Sequence, residues 1–111
     1  MNINLDIDVK ENGLVKTISL SGEIDAYTAP TLKEALLPLT KEEDAEIIVD
    51  LDEVSYMDST GLGVFISALK SSKEHLSSFK LINLQERVYR LFKITSLDSI
   101  ITIENTVRGG N

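Results

Sequence analysis

Two hydroxyls and a carboxylate stand side by side at Asp58-Ser59-Thr60, with Gly61-Leu62-Gly63 directly after them. The apolar run Ile47-Ile48-Val49-Asp50-Leu51 comes before, and an amphipathic run from Leu62 to Leu69 follows. This order puts the hydroxyls where a buried strand hands over to a helix. A helix start carries backbone N–H groups without helical partners and about half a positive charge. It is therefore a place where a hydroxyl can be exchanged for a phosphate dianion. An ordinary N-cap uses the same residue types, and either Asp58 or Ser59 could fill it. Glycine costs up to about 1 kcal/mol per residue relative to alanine in a helix. Two of them in one first turn suggest that something approaches this backbone closely.

Other chemistries need residues that the chain lacks. A nucleophile elbow requires glycine two positions before the serine, where Met57 stands. The one histidine, His75, sits in polar Ser72-Lys73-Glu74-His75 and is expected to be solvated. Thr60 interrupts an aspartic-protease Asp-Ser-Gly run, and Gly61-Leu62-Gly63 lacks the third glycine of a dinucleotide loop. Asp50, Asp52 and Glu53 read as strand-end acids rather than a magnesium site. No catalytic residue, metal or other cofactor is expected. Two competing readings are a small nucleotide-binding enzyme using the helix start as a cradle, and a receiver domain phosphorylated on Asp50 or Asp58. Glu23 and Asp25, in Gly22-Glu23-Ile24-Asp25, are either solvated turn acids or part of a recognition surface beside Ser59.

The elements that must position these residues follow from periodicity. Ile3, Leu5, Ile7 and Val9 alternate with polar residues as in a half-buried strand, and Asn12-Gly13 predicts a hairpin. Leu14 to Leu20 is the returning strand, with Ser21 to Asp25 a polar loop at its end. Thr28 is expected to cap a helix opening at Ala29-Pro30, with Leu32, Ala35, Leu36 and Leu39 facing inward and Pro38 ending or bending it. Thr40 to Glu46 reads as a charged surface loop. Ile47 to Leu51 has the pattern of a central strand covered on both faces. Leu62, Phe65, Ile66 and Leu69 mark a second helix ending near Ser71 to His75. Phe79 to Leu84 is a strand, Val88, Leu91 and Phe92 a short helix, and Ser99 to Ile103 a last strand. The expected fold class is α/β: one mixed sheet with helices packed against it. Residues 1–104 are expected to form one domain and 105–111 a flexible C-terminal tail.

Composition sets the outer limits. The chain has 111 residues, 42% of them apolar, enough for one core. It has no cysteine, so disulfides and thiolate chemistry are excluded, in keeping with a cytoplasmic setting. Its first residues lack a basic-then-apolar leader. The formal net charge of -7 disfavours nucleic acid and anionic membranes as partners. It favours either simple solubility or a basic protein partner.

Taken together, Gly22-Glu23-Ile24-Asp25, Ala29-Pro30, Val54 to Gly63 and Leu91-Phe92-Lys93-Ile94-Thr95 resemble the STAS domains of bacterial anti-sigma factor antagonists. The likeness is strongest to antagonists of the sigma-B general stress system of Gram-positive bacteria. It spans nearly the whole chain in order and is most specific at Asp58 to Gly63. It implies a STAS fold without catalysis of its own. The unmodified protein would bind an anti-sigma factor that is also a serine kinase, freeing the sigma factor for transcription. That kinase would phosphorylate Ser59, with Thr60 the less favoured acceptor, and so end the binding; a PP2C-type phosphatase would restore it. Glu23, Asp25, Asp58, Ser59, Thr60, Gly61, Leu62 and Gly63 would meet the partner. A STAS module within a larger signalling assembly is the alternative.

Overall fold

The computed structural model describes residues 4–105. Within them the chain forms β1 (Leu5–Asn12), β2 (Val15–Ile24), α1 (Ala29–Leu36), β3 (Glu46–Met57), α2 (Ser59–Glu74), β4 (Ser78–Ile82), α3 (Glu86–Ile94) and β5 (Thr102–Glu104). Short 3-10 turns occupy Leu37–Lys41 and Leu97–Ser99. Asn12 pairs with Val15 across the hairpin, and Gly13 takes the positive φ (64°) that the turn needs. β1 runs antiparallel to β2, the remaining neighbours are parallel, and the sheet order is β1-β2-β3-β4-β5. This is the mixed sheet expected from the sequence.

The three parallel crossovers all step in the same direction across the sheet. Right-handed crossovers that never reverse put every helix on one face. There Ile18, Leu20, Ile47, Val49, Leu51, Phe79 and Leu81 are buried beneath Leu32, Leu36, Leu62, Phe65, Val88 and Phe92. The Phe65 ring centroid lies 6.2 Å from that of Phe79 and 6.3 Å from that of Phe92, joining α2 to β4 and α3.

The expectation that β3 is covered on both faces is overturned. Ile48 and Asp50 are only half-buried on the side away from the helices, in register with Lys80 and Ile82. Lys80 reaches Glu104 at 3.0 Å and Glu46 at 3.8 Å. A depression of about 430 Å³ on this side is lined by Ile48, Lys80, Ile82, Glu104 and Asn105. The run Ile47–Leu51 is apolar because it is central in the sheet, not because it is doubly covered.

Two further expectations are corrected. Ser21 to Glu23 are not a loop, since β2 continues to Ile24 and pairs with β3. Thr40 is not on a surface loop either. It is fully buried, and its Oγ1 lies 2.6 Å from both the Leu37 carbonyl and the Ser71 Oγ. α1 does end just before Pro38, as its ring requires. The last strand begins at Thr102, later than expected, because a 3-10 turn takes Leu97–Ser99. Of the expected tail, Asn105 accepts a hydrogen bond from the Leu84 N–H at 2.8 Å, and residues 106–111 lie outside the described residues. Among the described residues no helix is long and apolar enough to cross a membrane.

Gly22 fixes the start of the sheet. Its φ is +125°, and a Cβ there would stand 2.1 Å from the Asn4 carbonyl oxygen. Gly13 also has a positive φ, but open space surrounds it. Gly22→Ala is expected to cost about 3 kcal/mol in urea unfolding, and Gly13→Ala about 1 kcal/mol. Lys16 is 5% exposed and is held by Glu42, with Glu11 at 3.5 Å. The Glu42 hydrogen bond outweighs the opposing effect of burial and raises the lysine pKa above its ordinary 10.5. A raised pKa stabilises the fold fully below the unfolded value, and that stability drains away as pH climbs through the folded value. Urea unfolding from about pH 9 to about pH 12 should therefore show a steeper loss for the wild-type chain than for Lys16→Met.

Candidate functional site

The site forms where β2 and β3 end together. Strand pairing carries on to Ile24 opposite Met57, and the Asp58 N–H then donates to the Ile24 carbonyl at 3.2 Å. β3 reaches this point through two irregularities. Ser19 faces Asp50 and Ser21 faces Glu53, while Gly22 faces Val54 and Glu23 faces Tyr56. Each shift adds one residue to β3, so its buried positions change from every second residue to Leu51, Val54 and Met57. Bulges of this kind re-aim a strand's side chains and often lie next to functional sites. Here they leave Ser55 and Tyr56 exposed in succession and turn Met57 into the core.

Asp58 is the N-cap of α2. Its backbone is extended (φ -110°, ψ -170°), and its Oδ1 accepts the Thr60 N–H at 2.9 Å. The Thr60 hydroxyl donates to the same carboxylate oxygen. The choice between Asp58 and Ser59 as cap, open in the sequence, falls to Asp58. Ser59 is then the first residue of α2. It is exposed, and its Oγ makes no hydrogen bond with any described residue. The two neighbouring hydroxyls thus differ physically: one is engaged by a carboxylate and the other is free.

Gly61 and Leu62 point the other way. Gly61 is buried, and a Cβ on it would meet the Met57 side chain at 2.5 Å and the Ile24 Cγ2 at 2.8 Å. Leu62 is 5% exposed and belongs to the core. Neither presents an exposed side chain at this surface. What comes close to Gly61 is the protein's own core, and the glycine lets α2 begin hard against the sheet. Gly63 differs, being exposed with nothing within 4 Å of where its Cβ would be.

Asp25 lies beside this helix start because Ile24 is bonded to Asp58. Its Oδ1 accepts the N–H groups of Tyr27 (2.9 Å) and Thr28 (3.1 Å). Thr28 was expected to cap α1, but its side chain makes no such bond. Its hydroxyl donates to the Glu23 carbonyl and accepts the Asp25 N–H, both at 2.9 Å. The threonine is buried inside the turn it closes, leaving no hydroxyl for the helix. Glu23 is half-buried opposite Tyr56. Thr28's part in this turn left no mark in the spacing of the sequence, because only the fold brings the Glu23 carbonyl within reach of its hydroxyl; Tyr27 and Tyr56 are exposed beside the site.

The residues singled out for other chemistries are dispersed. His75 is half-buried rather than solvated. Its Nδ1 lies 2.8 Å from the Ser71 carbonyl, which also accepts the His75 backbone N–H at 3.0 Å at the end of α2. Asp50 accepts from the Asp52 N–H at 3.0 Å and the Asn83 Nδ2 at 3.4 Å on the uncovered face. Among the described residues no three histidine or acidic side chains are grouped to hold a metal ion.

The model of the STAS domain family matches residues 6–110. The chain belongs to the STAS family. It is 49% identical over 110 residues to the anti-sigma-B factor antagonist of Bacillus subtilis, covering 99% of this chain and 98% of that one. Its fold is shared with a crystal structure of an anti-sigma factor antagonist from Mycobacterium paratuberculosis (TM-score 0.82, 24% identity, 93% of this chain and 87% of that one). It is also shared with the Bacillus anti-sigma factor antagonist SpoIIAA at 16% identity. The unphosphorylated form of SpoIIAA matches with a TM-score of 0.77, covering 93% of this chain and 90% of that one. The phosphorylated form matches at 0.70, covering 93% of each chain. These relatives are named for antagonising another protein rather than for a reaction they catalyse.

The cap yields a direct test. Asp58→Ala removes the acceptor of the Thr60 N–H and is expected to lower stability by about 1 kcal/mol in urea unfolding, with Asp58→Asn retaining most of it.

Proposed function

We propose that this chain is a phosphorylation-switched antagonist of an anti-sigma factor. In the unmodified state it binds an anti-sigma factor that is itself a serine kinase, and the sigma factor is released. Phosphorylation on Ser59 ends the binding, and a PP2C-type phosphatase resets it. The setting is cytoplasmic, and neither nucleic acid nor membrane is a partner. The observation that carries this reading is the free, exposed Ser59 hydroxyl at the first residue of α2, beside a Thr60 hydroxyl already bound to Asp58. The 49% identity to a protein named as an anti-sigma-B factor antagonist supports the choice of partner.

The energetics suit a switch. A phosphoserine adds a charge of about −1.5 to −2 and three acceptor oxygens. At a helix start the dipole favours that charge by about 0.3 to 1 kcal/mol, so the domain keeps its fold. The likeness of this chain to SpoIIAA in both its phosphorylated and unphosphorylated forms supports a fold that tolerates the modification. At a docked surface the same dianion loses water without gaining a full set of partners. A hundredfold loss of affinity takes only about 2.7 kcal/mol. Release then needs no rearrangement of the antagonist.

The test is to incubate the chain with the Bacillus subtilis anti-sigma-B factor and ATP, map the phosphate by mass spectrometry, and titrate binding. Ser59→Ala is expected to stay folded, bind as the wild type does, and persist in the complex when ATP is added. Ser59→Asp is expected to bind at least about tenfold more weakly. Phosphate found only on Thr60, or undiminished binding by Ser59→Asp, would overturn the reading.

A further inference from the structure

Tyr27 is 88% exposed, the most open large hydrophobic side chain among the described residues. Single exposed apolar side chains are common and need no explanation. What sets Tyr27 apart is the backbone beneath it. Its N–H and that of Thr28 are both bound to the Asp25 carboxylate. The Thr28 hydroxyl ties the turn back to Glu23 and Asp25, and the Ala29 N–H donates to the Asp25 carbonyl at 2.8 Å. Thr28 occupies the N-cap position of α1 yet gives that helix no side-chain bond. The side chains of Asp25 and Thr28 thus hold this turn still, while the Asp25 carbonyl ties it to Ala29, the first residue of α1. The only large side chain this turn sends into solvent is the phenol ring.

The turn also has a defined place. It begins one residue after Ile24, whose carbonyl accepts the N–H of Asp58, and Ser59 is the next residue along. Of the other widely exposed apolar side chains, Leu76 (67%) follows the end of α2, Ile94 (73%) is the last residue of α3, and Ile100 (54%) follows the 3-10 turn at Leu97–Ser99. α2 has 16 residues, so its far end lies about 24 Å from Ser59. An aromatic side chain with few rotors on an immobilised backbone loses little entropy on docking, and such residues dominate binding energy at protein interfaces.

We propose that Tyr27 is an aromatic anchor that the anti-sigma factor kinase takes into a pocket as it docks over Ser59, and that Asp25 is the positioning residue that holds Tyr27 in place. This rests on the function proposed above and adds the residue that supplies affinity beside the one that supplies the switch. Asp25 acts through its own turn, so its effect on binding should pass through Tyr27.

The experiment is a double-mutant cycle measured by titration against the Bacillus subtilis anti-sigma-B factor, without ATP so that Ser59 stays unmodified. Tyr27→Ala is expected to weaken binding about 30-fold, and Tyr27→Phe no more than about threefold, with the thermal midpoint unchanged in both. Asp25→Ala is expected to weaken binding about tenfold when Tyr27 is present and less than about twofold when position 27 is alanine. Amide exchange at Tyr27 and Thr28 should quicken in Asp25→Ala while the rest of the domain stays protected. Tyr27→Ala binding within about twofold of wild type would overturn the anchor while leaving the proposed function standing. An equal loss from Asp25→Ala in both backgrounds would overturn the positioning role. Absence of binding by the wild-type chain would overturn the proposed function, and this inference with it.

Discussion

The Asp58 N–H and the Ile24 carbonyl form one backbone hydrogen bond, and the site exists because of it. The bond makes β2 and β3 finish at the same place, so that the turn after one strand and the helix after the other start side by side. Gly61 is the condition for this. A Cβ there would press on Met57 and on Ile24 itself, the two residues that end the strands. Packing at Gly61, pairing at Ile24 and exposure at Ser59 are therefore one constraint seen from three sides. α2 can start on the sheet with its first residue outward only because its third residue has no side chain.

The electrostatics of the helix start divide the labour among three consecutive residues. Asp58 satisfies an orphan N–H and holds the Thr60 hydroxyl, which leaves Ser59 with no internal task. A hydroxyl with an internal partner would have to break that contact to accept a phosphate, and the domain would lose stability as the switch was thrown. A free hydroxyl carries no such penalty. The arrangement keeps the carboxylate that caps the helix apart from the one hydroxyl left exposed and unbonded.

Much of this could be read from the sequence, and the exceptions have physical causes. The helix-strand alternation and the Asn12-Gly13 hairpin were legible because each depends on local spacing and turn chemistry. The motif's place at a strand-to-helix junction was legible for the same reason. The direction in which its side chains point was not. In a linear motif Gly61 and Leu62 look no different from their exposed neighbours, yet the bulges in β3 rotate Met57 inward and carry them onto the core. Bulges are set by pairing with a distant strand and leave no periodic trace of their own. Thr28 misled for a related reason. Its hydroxyl had two possible employers, the helix after it and the turn before it, and only the fold shows that the carbonyl of Glu23 is in reach. Likewise, an apolar run such as Ile47 to Leu51 cannot tell a strand covered on one face from a strand covered on two.

The sheet order adds a reason for this chemistry rather than another. Open α/β sheets hold small ligands in the crevice formed where strand order reverses. Here the order β1-β2-β3-β4-β5 contains no reversal, so neighbouring crossovers do not part to opposite faces and no such crevice opens at the end of β3. The described depression on the sheet is on the uncovered face and is lined by none of the residues from Asp58 to Gly63. The helix start at Ser59 is exposed and lies apart from that depression, a placement that leaves it open to another protein. What this chain presents there is a rigid, accessible hydroxyl at Ser59.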